Sequence, residues 1–421
     1  MKSVTSLQTA ALAAVLFSAG CGGVQHSNVV SPQVLASGKI DTDQLGEVTS
    51  MRVANGKLYV GAQKGLASLD ASGKVLWQVV LPAVTVRLID ADAQSVAVSS
   101  YSVVGLDTAE GTKAFFLGNL GNEPKYANAV VALFSEGGKP QWAVNTPEQT
   151  ALSAPALSPV SVGVSCGTSF AVFQRANGSV VAPPMADTSG FLGGLAKGMI
   201  SQAMRNRPVV FKNSFYVGFF NQLGKFDFAG KQLWLQGGFG LFSPFENITV
   251  GPLVVEDKVL VFGTDRSQGN PGNVFGADAE PSKEFKEVVK DGGSDPGSLT
   301  VVGDHFFLAT NFTVTRFQDD GDKDWTAENK KGGLYPSSFR GVRYVDSLAT
   351  RRSAGDQMVA TDDAVFVTSS HDNKDVITVL SAKSGDYVHT LNVGKPIVEL
   401  AIFGDKLAVA SFDGIDLLPL K

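Results

Sequence analysis

The chain has 421 residues, of which 44% are hydrophobic and 18% charged, with 46 glycines and a formal net charge of −5. This is long enough for two or three domains or for one large all-β unit, and the apolar share excludes wholesale disorder. Lys+Arg 35 against Asp+Glu 40 leaves no basic excess to hold a phosphate backbone, so nucleic acid is not an expected partner. Two cysteines cannot build a disulfide framework, and the glycine content, above the usual ~7%, favours short strands joined by tight turns.

Residues 1–20 read as a targeting segment. Lys2 supplies a positive start, and Leu7 to Phe17 are mostly apolar, too short to span a bilayer and right for an export signal. Ser18-Ala19-Gly20 then sets small residues directly before Cys21. This resembles the processing site of bacterial lipoproteins, and the resemblance implies acylation of Cys21. Gly22, rather than aspartate, implies by the same resemblance an outer-membrane, periplasm-facing location. The alternative is an ordinary cleaved signal with an incidental cysteine. Residues 21–32, rich in Gly, Ser, Asn and Gln, are expected to be a flexible tether. No later stretch is apolar enough for a transmembrane helix.

From residue 33 onward the chain repeats one unit. An apolar strand, a tight turn and a second apolar strand are first seen in Met51-Arg52-Val53-Ala54-Asn55-Gly56-Lys57-Leu58-Tyr59-Val60-Gly61, and return around Asp92, Ser158, Asn213, Asp257, Asp304, Asp362 and Asp405. A second pattern follows: a strand, a glycine turn, and a large residue four positions after the glycine. It is met at Gly73 and Trp77, Gly138 and Trp142, Gly230 and Trp234, and Gly321 and Trp325, which accounts for all four tryptophans; Gly178 and Gly385 hold the same place without one. One repeat position for every tryptophan points to a packing wedge between sheets, with the indole N–H on a backbone carbonyl, rather than to a stacking platform for a ligand. Eight units of four antiparallel strands predict an eight-bladed β-propeller over 33–421. The last unit offers only three strands. Ala36-Ser37-Gly38-Lys39-Ile40 echoes Ala71-Ser72-Gly73-Lys74-Val75, so residues 34–41 are expected to close the ring as the outer strand of the last blade.

The run from Asn55-Gly56-Lys57-Leu58-Tyr59-Val60-Gly61 through Gly65-Leu66 to Leu69-Asp70-Ala71-Ser72-Gly73-Lys74-Val75-Leu76-Trp77 resembles the PQQ-type propeller repeat. That repeat is shared by quinoprotein alcohol dehydrogenases and by the BamB-type lipoproteins of outer-membrane protein assembly. A lipid anchor followed by eight blades resembles the lipoproteins more. The resemblance implies a scaffold for envelope proteins, with a quinone-dependent or other small-molecule enzyme or ligand binder in the channel as the alternative. The repeat is a structural signature and does not itself assign a role.

No cofactor, metal site or catalytic group is expected. The adjacent cysteine pair of the dehydrogenases is absent, and Cys166 reads as a small buried hydrophobe. His26, His305, His371 and His389 show no ligand spacing. Asp319-Asp320-Gly321-Asp322-Lys323-Asp324 lacks the ligand order of a calcium loop and reads as an exposed turn. The long connections, about 99–130, 184–207, 236–249, 265–273, 326–357 and 369–375, all fall between second and third strands or between units, hence on one face. Three of them carry interface-type residues: Phe191 and Leu192 at the start of an amphipathic run over 190–205; Phe239, Phe242 and Phe245; and Arg340, Arg343, Tyr344, Arg351 and Arg352. These are the candidate partner-binding residues, set against the simpler reading that they plug the channel mouth or are solvated.

Overall fold

A computed structural model describes residues 33–34, 40–81, 84–108, 122–146, 152–166, 169–182, 207–218, 222–237, 247–264, 273–278, 286–289, 298–310, 313–328, 338–339, 357–371 and 374–420. Strands make eight antiparallel sheets, and the single helix among the described residues is the four-residue Thr42–Leu45. Within each sheet the strands follow chain order from the inner edge outward, except that Gln33–Val34 lies outermost in sheet 1 and Ser338–Phe339 shares the inner edge of sheet 7 with Met358–Ala360. The inner strands are Val48–Ala54, Val86–Ala91, Ala156–Leu157, Val209–Phe211, Asn247–Val255, Ser298–Val302, Met358–Ala360 and Ile397–Phe403. They define sheets 1 to 8 and touch in succession, the eighth against the first.

The strands are hydrophobic on both faces because each sheet is sandwiched between two others. Leu58 and Val60 pack toward sheet 8, while Tyr59 between them packs toward sheet 2. Phe215 and Val217 face sheet 3, and Tyr216 faces sheet 5. Leu407 and Val409 face sheet 7, and Ala408 and Ala410 face sheet 1. Each junction between consecutive sheets therefore holds its own apolar core, and sheets 8 and 1 share one built from Met51, Leu58, Val60, Val398, Phe403 and Ala408. The period-two alternation of a strand does this without any polar face.

The tryptophans are the expected wedges. Trp77 of sheet 1 donates its indole N–H to Glu136 O of sheet 2 at 2.8 Å, Trp142 to Arg175 O of sheet 3 at 2.8 Å, and Trp325 of sheet 6 to Ala382 O of sheet 7 at 3.1 Å. Each indole lies flat on the turn glycine of the next sheet. A Cβ at Gly138 would fall 2.7 Å from the Trp77 ring, at Gly178 2.8 Å from Trp142, and at Gly385 2.5 Å from Trp325. These glycines have φ between 73° and 78°, so they are required twice, for the backbone and for the ring above it. A Cβ at Gly321 would instead meet Val288, its carbonyl oxygen before its Cγ1, and one at Gly73 the Cδ1 of Leu417, which stands on the third strand of sheet 8.

Two expectations are corrected. The segment 34–41 does not pair with sheet 8 in its described parts. Gln33–Val34 pairs instead with Val79 and Val80, adding a fifth strand outside sheet 1, and Ile40 and Asp41 lead into the short helix. The Asp41 N–H is bound by Gln78 Oε1 and the Asp41 carboxylate caps Gln44, so the backbone there is spent on a helix start rather than on a ladder. Sheet 8 shows three strands among the described residues. The second correction concerns two of the long connections. Ser95–Thr108 and Asn122–Ser135 pair as long antiparallel strands that take up much of 99–130, and Ala364–His371 pairs with Lys374–Ser381 out to His371 and Lys374, so strands take up most of 369–375.

Placing a methyl under an indole should cost more than placing one in open space. Gly138→Ala is expected to lower unfolding free energy by about 2–4 kcal/mol, from positive-φ strain plus overpacking. Gly56→Ala, also at positive φ but with nothing within 4 Å, should cost about 1–2 kcal/mol. Urea denaturation of both variants measures the difference.

Candidate functional site

The fold gives the succession of sheets two unlike faces. The turns from first to second strand and from third to fourth strand share one face and are tight throughout the described residues. On it, a basic side chain of one sheet is tied to the turn of its neighbour. Lys57 Nζ meets Glu136 at 3.0 Å, Lys258 Nζ meets Asp319 at 2.7 Å, and Lys406 Nζ donates to Ala71 O at 2.7 Å. All three lysines open the second strand of their sheet. Arg175 forms a bidentate pair with Asp92, at 2.6 and 2.8 Å, and also donates to Ser158 O. Burial pushes the Asp92 carboxyl up, but the Arg175 guanidinium and the N–H groups of Gln94 and Ser95 outweigh it and hold it below the usual aspartate range.

The acidic run 319–324 belongs to this face and turns at Asp319 and Asp320 as expected, while Lys323 and Asp324 already open the strand Lys323–Glu328. Asp319 binds Lys258, and Asp320 Oδ1 accepts the Asp322 N–H. Asp324 lies 3.1 Å from Arg316 Nε and 3.3 Å from His305 Nε2, whose other nitrogen meets Asp304. These carboxylates are engaged by protein cations and amides. Among the described residues no group of three or more His, Cys, Asp or Glu is placed to hold a metal ion.

The second feature is the inner edge. An innermost strand has no neighbour toward the axis, so its outward N–H and C=O groups need partners. Side chains from other sheets supply them. Ser50 Oγ accepts the Ile89 N–H at 3.0 Å, Glu399 Oε2 accepts the Met51 N–H at 2.7 Å, Asp375 Oδ2 accepts the Ile397 N–H at 2.8 Å, and Gln357 Nε2 donates to Val398 O at 2.7 Å. Arg207 Nη2 reaches Ile89 O at 3.2 Å. Ser50, Arg207, Gln357 and Glu399 occupy one repeat position, four residues before the residue that closes the first hairpin: Ala54, Phe211, Thr361 and Phe403. Glu399 is 2% exposed and Gln357 1%. Asp90 Oδ2 accepts the Leu157 N–H at 3.0 Å; burial raises its carboxyl above the ordinary range, and Arg52, 3.6 Å away, offsets this only in part. The arrangement stitches sheet 7 to 8, 8 to 1, 1 to 2 and 2 to 3. It spends buried carboxylates on backbone amides, which is work of positioning rather than of proton transfer. Sequence reading missed this set because its members share no residue type; only the hairpin register reveals the common position.

The candidate residues from the sequence lie outside the described residues: Cys21; Phe191 and Leu192; Phe239, Phe242 and Phe245; Arg340, Arg343, Tyr344, Arg351 and Arg352. The amphipathic run 190–205 lies outside them as well. Their flanks are described. Val180–Ala182 and Val209–Phe211 bracket the first set, Gln232–Gly237 and Asn247–Val255 the second, and Lys323–Glu328 and Met358–Ala360 the third. Each pair is an outer strand and the next inner strand, so all three sets join successive sheets on the face opposite the tight turns. Cys166 ends the strand Ser161–Cys166, and His389 lies in Tyr387–Asn392 at the wedge place, four residues after Gly385.

No family model matches the sequence, and no curated protein does. Solved structures do. BamB from Moraxella catarrhalis is similar with a TM-score of 0.56 at 15% identity, covering 91% of this chain and 96% of that one. The computationally designed Ika8 protein gives 0.57 at 12% identity, covering 89% and 96%. Quinohemoprotein alcohol dehydrogenase from Comamonas testosteroni gives 0.55 at 11% identity, covering 91% of this chain and 72% of that one. The fold is that of the PQQ-like β-propellers. At these identities the likeness is one of architecture.

Two variants test the stitching. Glu399→Ala leaves the buried Met51 N–H without an acceptor and should cost about 1–3 kcal/mol, with Glu399→Gln recovering most of it; chemical denaturation reads both. Asp92→Asn should lower the melting temperature at pH 7, by an equivalent of about 1–2 kcal/mol. Its folded carboxyl lies below the unfolded value, so the stability it contributes is present above about pH 4 and lost as pH falls through the lower folded value. The gap between variant and parent should therefore close in melts below about pH 4.

Proposed function

We propose that the chain is a membrane-anchored, periplasm-facing scaffold. It is a closed eight-bladed propeller that holds envelope proteins through its long-loop face, in outer-membrane protein assembly. The observation that carries this reading is the asymmetry of the ring. The tight-turn face is consumed by pairs such as Arg175–Asp92 and Lys57–Glu136 and by tryptophan wedges. The inner edge is consumed by its own stitches. The connections bearing Phe, Met, Tyr and Arg, the residue types enriched at interface cores, all leave from the other face. The export signal, Cys21 and the likeness to BamB support the envelope setting. The partner is a protein, the anchor is an acylated Cys21, and the membrane is the outer one.

The likeness to a quinohemoprotein alcohol dehydrogenase favours the second reading, an enzyme or ligand binder at the channel mouth. The two separate by assay: reconstitution with PQQ and calcium followed by dye-linked alcohol oxidation should give no turnover, and clear turnover would favour the second reading.

Pull-down of the acylated protein from detergent-extracted membranes identifies the partner. Arg343→Ala, Arg351→Ala or Phe242→Ala should then weaken binding, by about 2 kcal/mol or some thirtyfold for a central residue. Lys139→Ala and Lys231→Ala, on the tight-turn face, should leave it unchanged. Loss of binding in the tight-turn variants alone would reverse the assignment of the faces. Cys21→Ala should release the protein from membranes or leave the precursor unprocessed; normal membrane retention would refute the anchor.

A further inference from the structure

One stitching side chain of the inner edge carries a charge that no described residue answers. Arg207 holds in sheet 4 the repeat position that Ser50, Gln357 and Glu399 hold in sheets 1, 7 and 8. Those three each reach the next sheet: Ser50 sheet 2, Gln357 sheet 8 and Glu399 sheet 1. Arg207 instead reaches back past sheet 3 to sheet 2, where its Nη2 donates to Ile89 O at 3.2 Å. Sheet 3 does not compete for that place. Ser158 closes its first hairpin, so the residue at the same repeat position is Ala154, and its inner strand opens with Ala156. Both are buried and offer only a methyl.

A guanidinium carries five N–H groups and stays ionised at any pH at which proteins fold. Arg207 uses one of them on a carbonyl. Its Nε and Nη1 are shut away from solvent and meet no acceptor, and no carboxylate of the described residues pairs with it. The four other arginines with described side chains differ. Arg52 meets Asp90, Arg175 meets Asp92 and Arg316 meets Asp324, while Arg87 donates to Tyr101 O and lies over the Tyr101 ring. The acids that follow Ile89 in its own strand and turn are already engaged: Asp90 by Arg52 and the Leu157 N–H, Asp92 by Arg175. A shielded cation that faces only one carbonyl is an unfavourable arrangement, and an anion accepting from the idle N–H groups relieves it.

We propose that Arg207 anchors an anion site on the inner edge between sheets 2 and 4, which takes one small monovalent anion, chloride or the carboxylate of a short acid. Nε and Nη1 donate to the anion while Nη2 keeps Ile89 O. Charge sets the valence. One unpaired positive charge is balanced by one negative charge, whereas sulfate or phosphate would bring a second charge that has no cation to meet it, since Arg52 is matched by Asp90. The surroundings set the size. The inner strand of sheet 3 touches those of sheets 2 and 4, and it supplies Ala156 and Leu157, which have nothing for the polar substituents of a larger anion to bind. Occupied, the site fastens sheet 4 to sheet 2 and extends the stitching of the inner edge from sheet 3 to sheet 4. It is independent of the partner and of the anchor.

The test is the stability of the full chain in a zwitterionic buffer with sodium chloride, sodium acetate or sodium sulfate added at equal ionic strength. Once the site saturates, each tenfold rise in chloride or acetate should raise the folded-to-unfolded ratio by up to about tenfold more in the parent than in Arg207→Gln. Sulfate should act on both alike. The parent should broaden the chloride NMR resonance, acetate should reverse the broadening by competition, and Arg207→Gln should give none. Arg207→Met, uncharged and of similar length, should behave as Arg207→Gln does and serves if that variant does not fold. Half-effect at a lower concentration of acetate than of chloride assigns the site to carboxylates and the reverse order to halide; either supports it. An equal response to chloride and acetate in the parent and the variants would overturn the proposal, as would a parent whose stability follows sulfate as closely as chloride.

Discussion

Two-sided burial is the constraint on which this molecule rests. A sheet whose residues are apolar on both faces cannot stand at the surface of a two-layer sandwich, and it must find a neighbour on each side. Tyr59 and Val60, adjacent in one strand, belong to different cores. The same division at Tyr216 and Val217, and at Ala408 and Val409, makes each sheet half of two cores. Stacking then has no natural end until the eighth sheet meets the first, which it does through Val398, Phe403 and Ala408. The indole on a positive-φ glycine sets the spacing at the rim, where apolar side chains alone would let the sheets slide.

The polar groups follow from that geometry. Radial packing leaves inner-strand amides with no strand beside them, and the solution is a set of side chains lent by other sheets, from serine to glutamate. A carboxylate with an exposure of 2% is tolerable there because it accepts a backbone N–H. The tight-turn face meets its own requirement with cation–carboxylate pairs, which are modest singly but recur at successive junctions. Among the described residues, the inner edge from sheet 7 to sheet 3 and the tight-turn face thus meet much of their polar demand from within the chain. Only the opposite face is left to vary in length and composition without cost to the cores, and recognition is expected to sit on such connections.

Legibility was uneven for physical reasons. Strand number, the hairpin turns at Asn55-Gly56 and its echoes, the glycine turns and the role of the tryptophans could be read because each is a local demand of the backbone or of one repeat position. The length of the strands Ser95–Thr108 and Asn122–Ser135 could not, since their far halves mix polar residues with glycine and proline and read as a loop. The partner-binding residues were chosen by residue type and by the face their connections leave from. Type alone does not bring Phe242 and Arg343 together, because connections between blades are not positioned by the ladder that orders the strands.

The sequence by itself determined an all-β repeat of eight units and a wedge of tryptophan against glycine, because periodicity and turn chemistry are written residue by residue. Only the tertiary structure decided where the N-terminal strand goes, and that Ser50, Gln357 and Glu399 share one task. Val34 could pair with any exposed edge of suitable length. It lies on sheet 1 because Asp41 and Gln78 fix the chain just after it. A serine, a glutamine and a glutamate have no common signature in a sequence. They become equivalent only when the register of the hairpins turns each of them toward an unpaired amide or carbonyl of the next sheet.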